Sequence, residues 1–347
     1  SFDQGRTWKA ISPDLTRDLP QAQNPGGGDV PFSTLKDVSA SPLAFGLLYC
    51  GADDGRVTMT PDGGATWRDI PTPTPDKWVS RIVASRHEAD VVYCAQSGYR
   101  DDDWRAYLYR STDRGRTWTS ISGDLPAETI NVIREDPVDA KTLYVGTDMG
   151  VWASRDAGAT WFALAGGIPN LPVHDLAIQA REDELVVATH ARSAWALSLK
   201  PLRQVTPAVL AGGLAILDAP NVRRSPRWGL ENRPRYDATV PDSPKLKATV
   251  FAPAKGKAIL RLKDKAGKVV KESVVDLEKG WNAAELELRL TAPKPIGVAP
   301  TERAKTVEEA LADPFAASRA TFVPVGEYVL EIEQGGKVVA KSWSLVE

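Results

Sequence analysis

An eight-residue pattern that occurs four times constrains this chain of 347 residues more than any other feature. The pattern is Ser/Thr-x-Asp-x-Gly-x-Thr-Trp, followed by a short apolar run, and its aspartates are Asp3, Asp62, Asp113 and Asp156. The spacings between them are 59, 51 and 43 residues. Self-similarity at such a period is typical of repeat proteins, in which each repeat is one unit of supersecondary structure. The sequence therefore predicts a repeat architecture.

The residue types of the pattern predict a tight β-hairpin. An Asp side chain accepts hydrogen bonds from backbone N–H groups two residues on, and the Gly supplies the positive φ of a tight turn. The Thr starts a strand, and the Trp lays a large apolar face on a sheet. We interpret the aspartates as turn formers rather than catalytic or metal-binding groups, because one carboxylate at four equivalent tips indicates structure. The tryptophans predicted to pack are Trp8, Trp67, Trp118 and Trp161.

Turn residues divide each repeat into four short strands, which is the number in a propeller blade. Three units are complete, at 32–70, 78–121 and 129–164, and a fourth at 172–198 lacks the aspartate pattern and the last strand. The first residues of the chain carry the pattern without the three strands before it. Either they complete the fourth blade of a four-bladed propeller, or residue 1 is not the natural N-terminus and the chain is part of a larger propeller. We favour the second interpretation, because a hairpin tip is a poor start for a chain.

The pattern is the Asp box of the bacterial neuraminidase repeat, and chains that carry it resemble sialidase-like and sortilin-like β-propellers. The likeness extends to LLYCGADDGRV, VVYCAQSGYRDDD, TLYVGTDMGVW and LVVATHARSAW, which occupy the same place in successive units. Residues 1–200 resemble large secreted bacterial proteins of the sortilin-like or neuraminidase-repeat type, some of them named glycosyl hydrolase-like. The resemblance implies a secreted or periplasmic protein with a β-sandwich after the propeller.

The second half of the chain predicts a different domain. Residues 201–244 are rich in Pro and Arg and form a predicted linker. Residues 245–347 contain six runs of alternating apolar and polar residues, which predict an immunoglobulin- or fibronectin-like β-sandwich. The stretch 301–317 breaks the alternation and predicts a helical insertion, with Thr306 and Glu309 as a capping box. The predicted fold class is therefore all-β, with Asp-box β-propeller blades followed by a β-sandwich.

Composition and charge narrow the function classes. A net charge of −2 and a pI near 6.0 argue against nucleic acid or an anionic membrane as the main partner. No apolar run reaches the roughly 18 residues of a transmembrane helix. We expect Cys50 and Cys94 to be free core thiols, with a disulfide between blades as the alternative. No Cys or His spacing predicts a metal site, and no motif predicts a cofactor.

Candidate binding residues come from the loops on the face of the blades opposite the Asp boxes. In each unit these are the loop between the second and third strands and the start of the first strand. They form a rim of mixed charge with aromatic side chains, which suits a sugar or a peptide. The alternative is that these charges solvate loops and tie neighbouring blades together. The predicted ligand-binding residues are Trp78, Arg81, Tyr99, Arg100, Asp102, Trp104, Asp148, His190 and Arg192.

Three functions are open from the sequence. The preferred one is a non-catalytic secreted or periplasmic protein that binds a protein, peptide or glycan through this rim. One alternative is a glycoside hydrolase acting on a polysaccharide, which needs two carboxylates about 5–10 Å apart. The other is a structural subunit of a larger, membrane-associated assembly. Sialidase chemistry is not supported, because no Tyr/Glu pair accompanies Arg81, Arg100 and Arg192, and no motif supports a Ser/His/Asp triad.

Overall fold

The computed structural model describes residues 1, 3–20, 32–165, 168, 170–190, 192–225, 228, 244–290 and 321–347. The chain divides into two compact units, Ser1–Lys200 and Pro201–Glu347. Strands dominate both units, so the prediction of an all-β fold is confirmed. No helix in the described part of the chain is long and apolar enough to cross a membrane.

The first unit contains four antiparallel sheets that follow one another along the chain, which confirms the predicted propeller blades. Counting only the strands within this unit, the first three have four strands each, and the fourth has three. The strands are β1 (Leu35–Ala40), β2 (Leu48–Ala52), β3 (Val57–Thr60) and β4 (Arg68–Asp69) in the first blade; β5 (Trp78–Ala84), β6 (Val92–Gly98), β7 (Asp103–Ser111) and β8 (Thr119–Ser120) in the second; β9 (Ile130–Glu135), β10 (Leu143–Thr147), β11 (Gly150–Ser154) and β12 (Phe162–Ala165) in the third; and β13 (Val173–Gln179), β14 (Glu184–Thr189) and β15 (Ala194–Ser198) in the fourth.

Side chains on the first strands of the blades join neighbouring blades to one another. The Ile82 N–H of β5 donates to Asp37 Oδ2 of β1 at 2.9 Å. Arg134 Nε of β9 donates to the Leu176 carbonyl of β13 at 2.8 Å. Because these first strands are neighbours, their starts come together at one end of the blades.

The same hydrogen bonds close each Asp box. In the second blade Asp113 accepts from the N–H of Thr117 at 2.8 Å and from its Oγ1 at 2.7 Å, and Ser111 donates its hydroxyl to Asp113 at 2.7 Å. Ser111 Oγ also accepts the N–H of Gly115, whose φ is +81°. The other three boxes repeat these contacts. The carboxylate thus accepts hydrogen bonds from the residue four positions on, rather than two positions on as expected from the sequence. The reason is that the Ser or Thr hydroxyl, not the carboxylate, accepts the N–H of the glycine in the turn.

The glycine of the box packs directly on the preceding blade. A Cβ on Gly158 would lie 2.7 Å from Ile121 Cβ, and a Cβ on Gly115 would lie 2.8 Å from Ile70 Cδ1. Trp161 is only 3% exposed, and its Nε1 donates to the Ile121 carbonyl at 2.9 Å. The box is therefore a joint between blades as well as a turn, and close approach excludes any side chain at its glycine.

The four box tryptophans differ in their surroundings. Trp67 is half-buried, and its Nε1 donates to the Ile11 carbonyl at 2.9 Å. Trp118 is half-buried against the apolar core of the first blade. Trp8 is 81% exposed, and its Nε1 donates within its own turn to the Gly5 carbonyl. The packing predicted for Trp8 is therefore not formed with the described residues.

The second unit contains two sheets. One has the order β16-β18-β21 and the other β17-β23-β22-β19-β20. Their buried faces share one apolar core that includes Leu246, Leu260, Leu330 and Trp343. The strands are β16 (Ala215–Asp218), β17 (Val222–Arg223), β18 (Lys245–Ala252), β19 (Gly256–Lys263), β20 (Val269–Leu277), β21 (Gly280–Glu287), β22 (Gly326–Gln334) and β23 (Lys337–Val346).

Part of the segment predicted as a linker contributes strands to this unit. Strand β16 pairs antiparallel with β18, and β17 pairs parallel with β23. A four-residue helix, α1 (Pro207–Leu210), precedes them. These strands are only four and two residues long, so their alternation is too short to be recognised among prolines and arginines. The helical insertion predicted at 301–317 lies outside the described residues.

Both cysteines are free, buried thiols on the second strands of adjacent blades. Burial raises the pKa of Cys50 to about 11. Burial raises the pKa of Cys94 as well. Thiols that stay protonated are poor nucleophiles and poor metal ligands, which fits a packing role.

Candidate functional site

A cavity of about 910 Å³ opens in the first unit, where the starts of the first strands meet the ends of the second strands. Six of the nine predicted ligand-binding residues line it, namely Trp78, Arg81, Tyr99, Trp104, Asp148 and His190. The other three predicted residues, Arg100, Asp102 and Arg192, do not line it. Nine residues outside that prediction complete the lining: Lys36, Ser80, Ser97, Thr129, Asn131, Met149, Asn170, Pro172 and His174.

A β-bulge at the same place in every blade aims one side chain at this cavity. The pairing of the first strand with the second skips one residue in each blade, between Leu35 and Asp37 in the first and at the matching positions of the others. An extra residue of this kind redirects its side chain, and such bulges are common beside active sites. The skipped residues are Lys36, Ser80, Asn131 and His174, and all four line the cavity.

Small residues opposite the bulges let the blades approach closely. Gly51 of β2 and Gly146 of β10 are the partners beside the bulges of the first and third blades. A Cβ on Gly51 would lie 2.3 Å from Val79 Cγ1, and a Cβ on Gly146 would lie 2.5 Å from Val173 Cγ1. Because these glycines have no side chain, the first strand of the following blade can pack directly against each of them. The bulged residues of neighbouring blades meet around one cavity for this reason.

Aromatic rings form one wall of the cavity. Tyr99 is 48% exposed and Trp104 is 49% exposed, so both rings offer a face to a ligand. The Trp78 ring lies 6.1 Å from the Tyr99 ring, and it carries cations over its own face, with Lys36 Nζ at 4.7 Å and Arg100 Cζ at 4.5 Å from its centroid. Arg100 thus lies beside the cavity, in contact with the Trp78 ring that lines it. The Trp78 ring therefore holds these cations by cation–π contacts instead of offering an open face to a ligand.

Charged groups fix the loop that carries Trp104. Asp103 accepts two hydrogen bonds from Arg105, at 2.9 and 2.8 Å, and one from the Tyr107 hydroxyl at 2.5 Å. Arg105 and Tyr107 together hold the pKa of Asp103 well below its usual range. Asp102 ends the preceding 3-10 turn with a φ of +53°, a left-handed conformation that Asp tolerates. Asp102 therefore shapes the loop and lies outside the cavity.

Asp148 is the one carboxylate among the described residues that line the cavity. It lies in the two-residue turn between β10 and β11 and is half-buried. Asn131 Nδ2 donates to Asp148 Oδ1 at 2.9 Å, so the bulged residue of the third blade orients this carboxylate. A glycosidase needs two carboxyl groups. The described lining supplies one of them.

Arg81 belongs to an ion network that links the first strands of all four blades. Its NH2 lies 3.2 Å from Asp175 Oδ1, and its NH1 lies 3.6 Å from Asp37 Oδ1. Arg134 shares the same Asp175 oxygen at 2.7 Å. Burial and the nearby Arg81 lower the pKa of Arg134. The sequence left open whether rim charges bind a ligand or tie blades together, and the contacts of Arg81 tie blades together.

The histidines and Arg192 do not assemble a catalytic triad. The rings of His174 and His190 pack edge to face with centroids 5.4 Å apart. Arg192 is exposed, and its carbonyl accepts Trp195 Nε1 at 3.1 Å. Arg81, Arg100 and Arg192 therefore do not converge on one point of the cavity. Among the described residues no group of three or more His, Cys, Asp or Glu side chains could hold a metal ion.

Sequence comparison finds curated enzymes similar to part of the chain. Xyloglucanase Xgh74A of Acetivibrio thermocellus is 29% identical over 157 residues, covering 39% of this chain and 18% of that protein. A xyloglucanase of Paenibacillus sp is 28% identical over 152 residues, covering 39% and 14%. A xyloglucanase of Hypocrea jecorina is 28% identical over 171 residues, covering 49% and 17%. Each match thus spans less than a fifth of the curated relative. No family model matches the chain.

Solved structures show low similarity. The Niastella koreensis GH74 enzyme aligns with a TM-score of 0.39 and 15% identity, covering 74% of this chain and 38% of that one. The GH74 xyloglucanase from Xanthomonas campestris aligns with a TM-score of 0.39 and 15% identity, covering 89% and 47%. The Dos1 propeller aligns with a TM-score of 0.38 and 11% identity, covering 48% and 45%.

The curated relatives overturn the preferred prediction of a non-catalytic binding protein, because each of them is named as a xyloglucanase. The sequence pattern led to that preference because an Asp box is a structural turn and carries no catalytic signature. The likeness to sortilin-like and neuraminidase-repeat proteins stays a prediction. The relatives instead agree with the alternative drawn from the sequence, a glycoside hydrolase acting on a polysaccharide.

Proposed function

We propose that this chain is part of a glycoside hydrolase that acts on a polysaccharide, and that the cavity of the first unit receives the sugar chain. The names of the curated relatives support the reaction class. The observation that carries the proposal is Asp148, a half-buried carboxylate in an open cavity beside the exposed rings of Tyr99 and Trp104.

Asp148 is the group that we place in the reaction. Hydrolysis of a glycosidic bond uses one carboxyl group as acid and another as base or nucleophile. The hydrogen bond from Asn131 holds the Asp148 carboxylate in one orientation, as a group that must meet a reacting atom requires. Its partner in a two-carboxylate mechanism comes from outside the described lining.

The cavity wall supplies binding groups for sugar units. Aromatic rings such as those of Tyr99 and Trp104 offer broad apolar faces on which a sugar ring stacks. Ser80 and Asn131 lie at the bulges and already donate to the Ile130 carbonyl and to Asp148, so their side-chain oxygens remain to accept hydrogen bonds from sugar hydroxyls. A few polar groups on a partly apolar wall are typical of small-molecule sites.

The compartment follows from the substrate. An external polysaccharide is too large to cross a membrane, so an enzyme that cleaves such a substrate acts outside the cytoplasm. We therefore propose a secreted or periplasmic location. This agrees with the resemblance of the Asp-box repeat to secreted sortilin-like and neuraminidase-repeat proteins.

The test is release of reducing ends from a panel of soluble polysaccharides, with xyloglucan as the first neutral substrate and carboxylated glucans beside it. We expect release by the purified protein, and a loss of about 10²- to 10⁴-fold in Asp148→Asn, the range for removal of an acid–base group. Asp102→Asn is the matched control, because Asp102 lies outside the cavity and Asn tolerates its positive φ. No release from any substrate, or full activity in Asp148→Asn, would overturn the proposal.

A further inference from the structure

The charges around the cavity do not balance. Asp148 is its one carboxylate in the described part of the chain, and an amide already holds one of that residue's oxygens. Lys36 lines the cavity, and Arg100 lies beside it over the Trp78 ring. Within the described lining, the two cations Lys36 and Arg81 accompany the one carboxylate, in a chain whose net charge is −2.

Lys36 and Arg100 are cations without a carboxylate partner among the described residues. The ion pairs of those residues include neither side chain. Both are exposed, and both hold to the same Trp78 ring, at 4.7 and 4.5 Å from its centroid. By contrast, two aspartates balance Arg81 on the same wall. The fold therefore pairs Arg81 of the wall with carboxylates, and it leaves Lys36 of the wall and Arg100 beside it without such a partner.

The position of Lys36 is built into the blade. It is the bulged residue of the first blade, equivalent to the bulged residues that line the cavity from the other three blades. The first blade thus presents an ammonium group where the second and third present the uncharged Ser80 and Asn131. Thr129 lines the same cavity, is 3% exposed, and its hydroxyl has no hydrogen-bond partner in the described structure.

We propose that the cavity selects a carboxylated sugar of the uronic acid class, whose carboxylate pairs with Lys36 while Arg100, beside the cavity over Trp78, adds to the positive potential. This inference rests on the proposed function and names its substrate class. A lysine and an arginine give charge-assisted hydrogen bonds to a carboxylate, which are about twice as strong as bonds to a neutral hydroxyl. The exposed rings of Tyr99 and Trp104 take the sugar face in either case. The cations therefore decide between an acidic and a neutral sugar.

The test compares two probes that differ only in charge, a β-1,4-linked cello-oligosaccharide and the same oligosaccharide oxidised at every C6 to the glucuronate. Binding is measured by calorimetry on the purified protein at low and high NaCl. We expect the oligoglucuronate to bind at least about tenfold more tightly, a difference of about 1.4 kcal/mol. The advantage should shrink in high salt, because exposed charge pairs are screened.

Lys36→Gln combined with Arg100→Gln should remove the preference, so that the acidic and the neutral oligosaccharide bind the variant with affinities within about twofold of each other. Lys268→Gln is the control, since it removes an exposed lysine from the second unit. Thermal unfolding of each variant checks that it is folded. Equal or weaker binding of the oligoglucuronate, no binding of it, or a preference that survives in the double variant would overturn the inference. Hydrolysis of neutral xyloglucan that depends on Asp148, without preference for the acidic probe, would keep the proposed function and reject this inference alone.

Discussion

Replacement of Gly158 by alanine tests the joint between the blades. Gly158 has a φ of +89°, and a Cβ there would lie 2.7 Å from Ile121 Cβ and 3.0 Å from Ile121 O. A non-glycine residue in the left-handed region costs about 1–2 kcal/mol, and overpacking against a fixed neighbour costs about 1–3 kcal/mol more. We therefore expect Gly158→Ala to lower the free energy of unfolding of the first unit by about 2–5 kcal/mol.

Gly63→Ala separates the two costs. Gly63 has a φ of +72° in the box of the first blade, but the atom nearest to its added Cβ is Gly46 Cα at 4.0 Å. The third blade carries Ala157 at the corresponding position with a φ of +61°. We therefore expect only the backbone cost of about 1–2 kcal/mol. Denaturant unfolding followed by tryptophan fluorescence measures both variants, and equal losses would refute the argument that the box glycine is needed for contact with Ile121.

Two further predictions concern the Asp boxes. Hydrogen bonds from the box threonines lower the pKa of Asp62 and Asp113 from the usual value of 3.8 to about 2. The stabilisation by these bonds is therefore present above about pH 4 and is lost as the pH falls through about 2. Denaturant midpoints measured from about pH 5 down to about pH 2 should therefore fall, and a flat profile would contradict this. Trp161→Ala should lower the free energy of unfolding by about 3–5 kcal/mol, because Trp161 is 3% exposed. Trp8→Ala, at an 81% exposed residue, should change it by less than about 0.5 kcal/mol. Similar losses of stability for the two variants in thermal unfolding would show that exposure does not decide the role of the box tryptophan.

Two kinds of cation lie at the cavity. Arg81 is held by Asp37 and Asp175 and serves the contact between blades. Lys36 and Arg100 instead lie over aromatic rings, Lys36 over Trp78 and Arg100 over Trp78 and Phe32. The ion pairs of Arg81 thus answer for this residue the question that the sequence left open, and ligand binding by Lys36 and Arg100 stays a proposal.

The strands and the Asp boxes follow from local sequence. The strands at Gly326–Gln334 and Lys337–Val346 have the bounds that their alternation predicts, because period-two burial and the turn at Gly335 and Gly336 are both local features. The Asp box is local too, since every hydrogen bond that closes it spans four residues or fewer. The short strands at Ala215–Asp218 and Val222–Arg223 escaped prediction, because pairing with distant strands holds them.

The sequence by itself determined the repeat, the four-stranded blades and the loops that form a rim. Only the tertiary structure decided which rim residues share a cavity, placing Asp148 and Trp104 in it and Asp102 and Arg192 outside it. It also decided the bulges that bring Lys36, Ser80, Asn131 and His174 together. The physical reason is that a bulge depends on how two strands pair, and a shared cavity depends on how four blades pack. Neither is contained in the periodicity of a single strand.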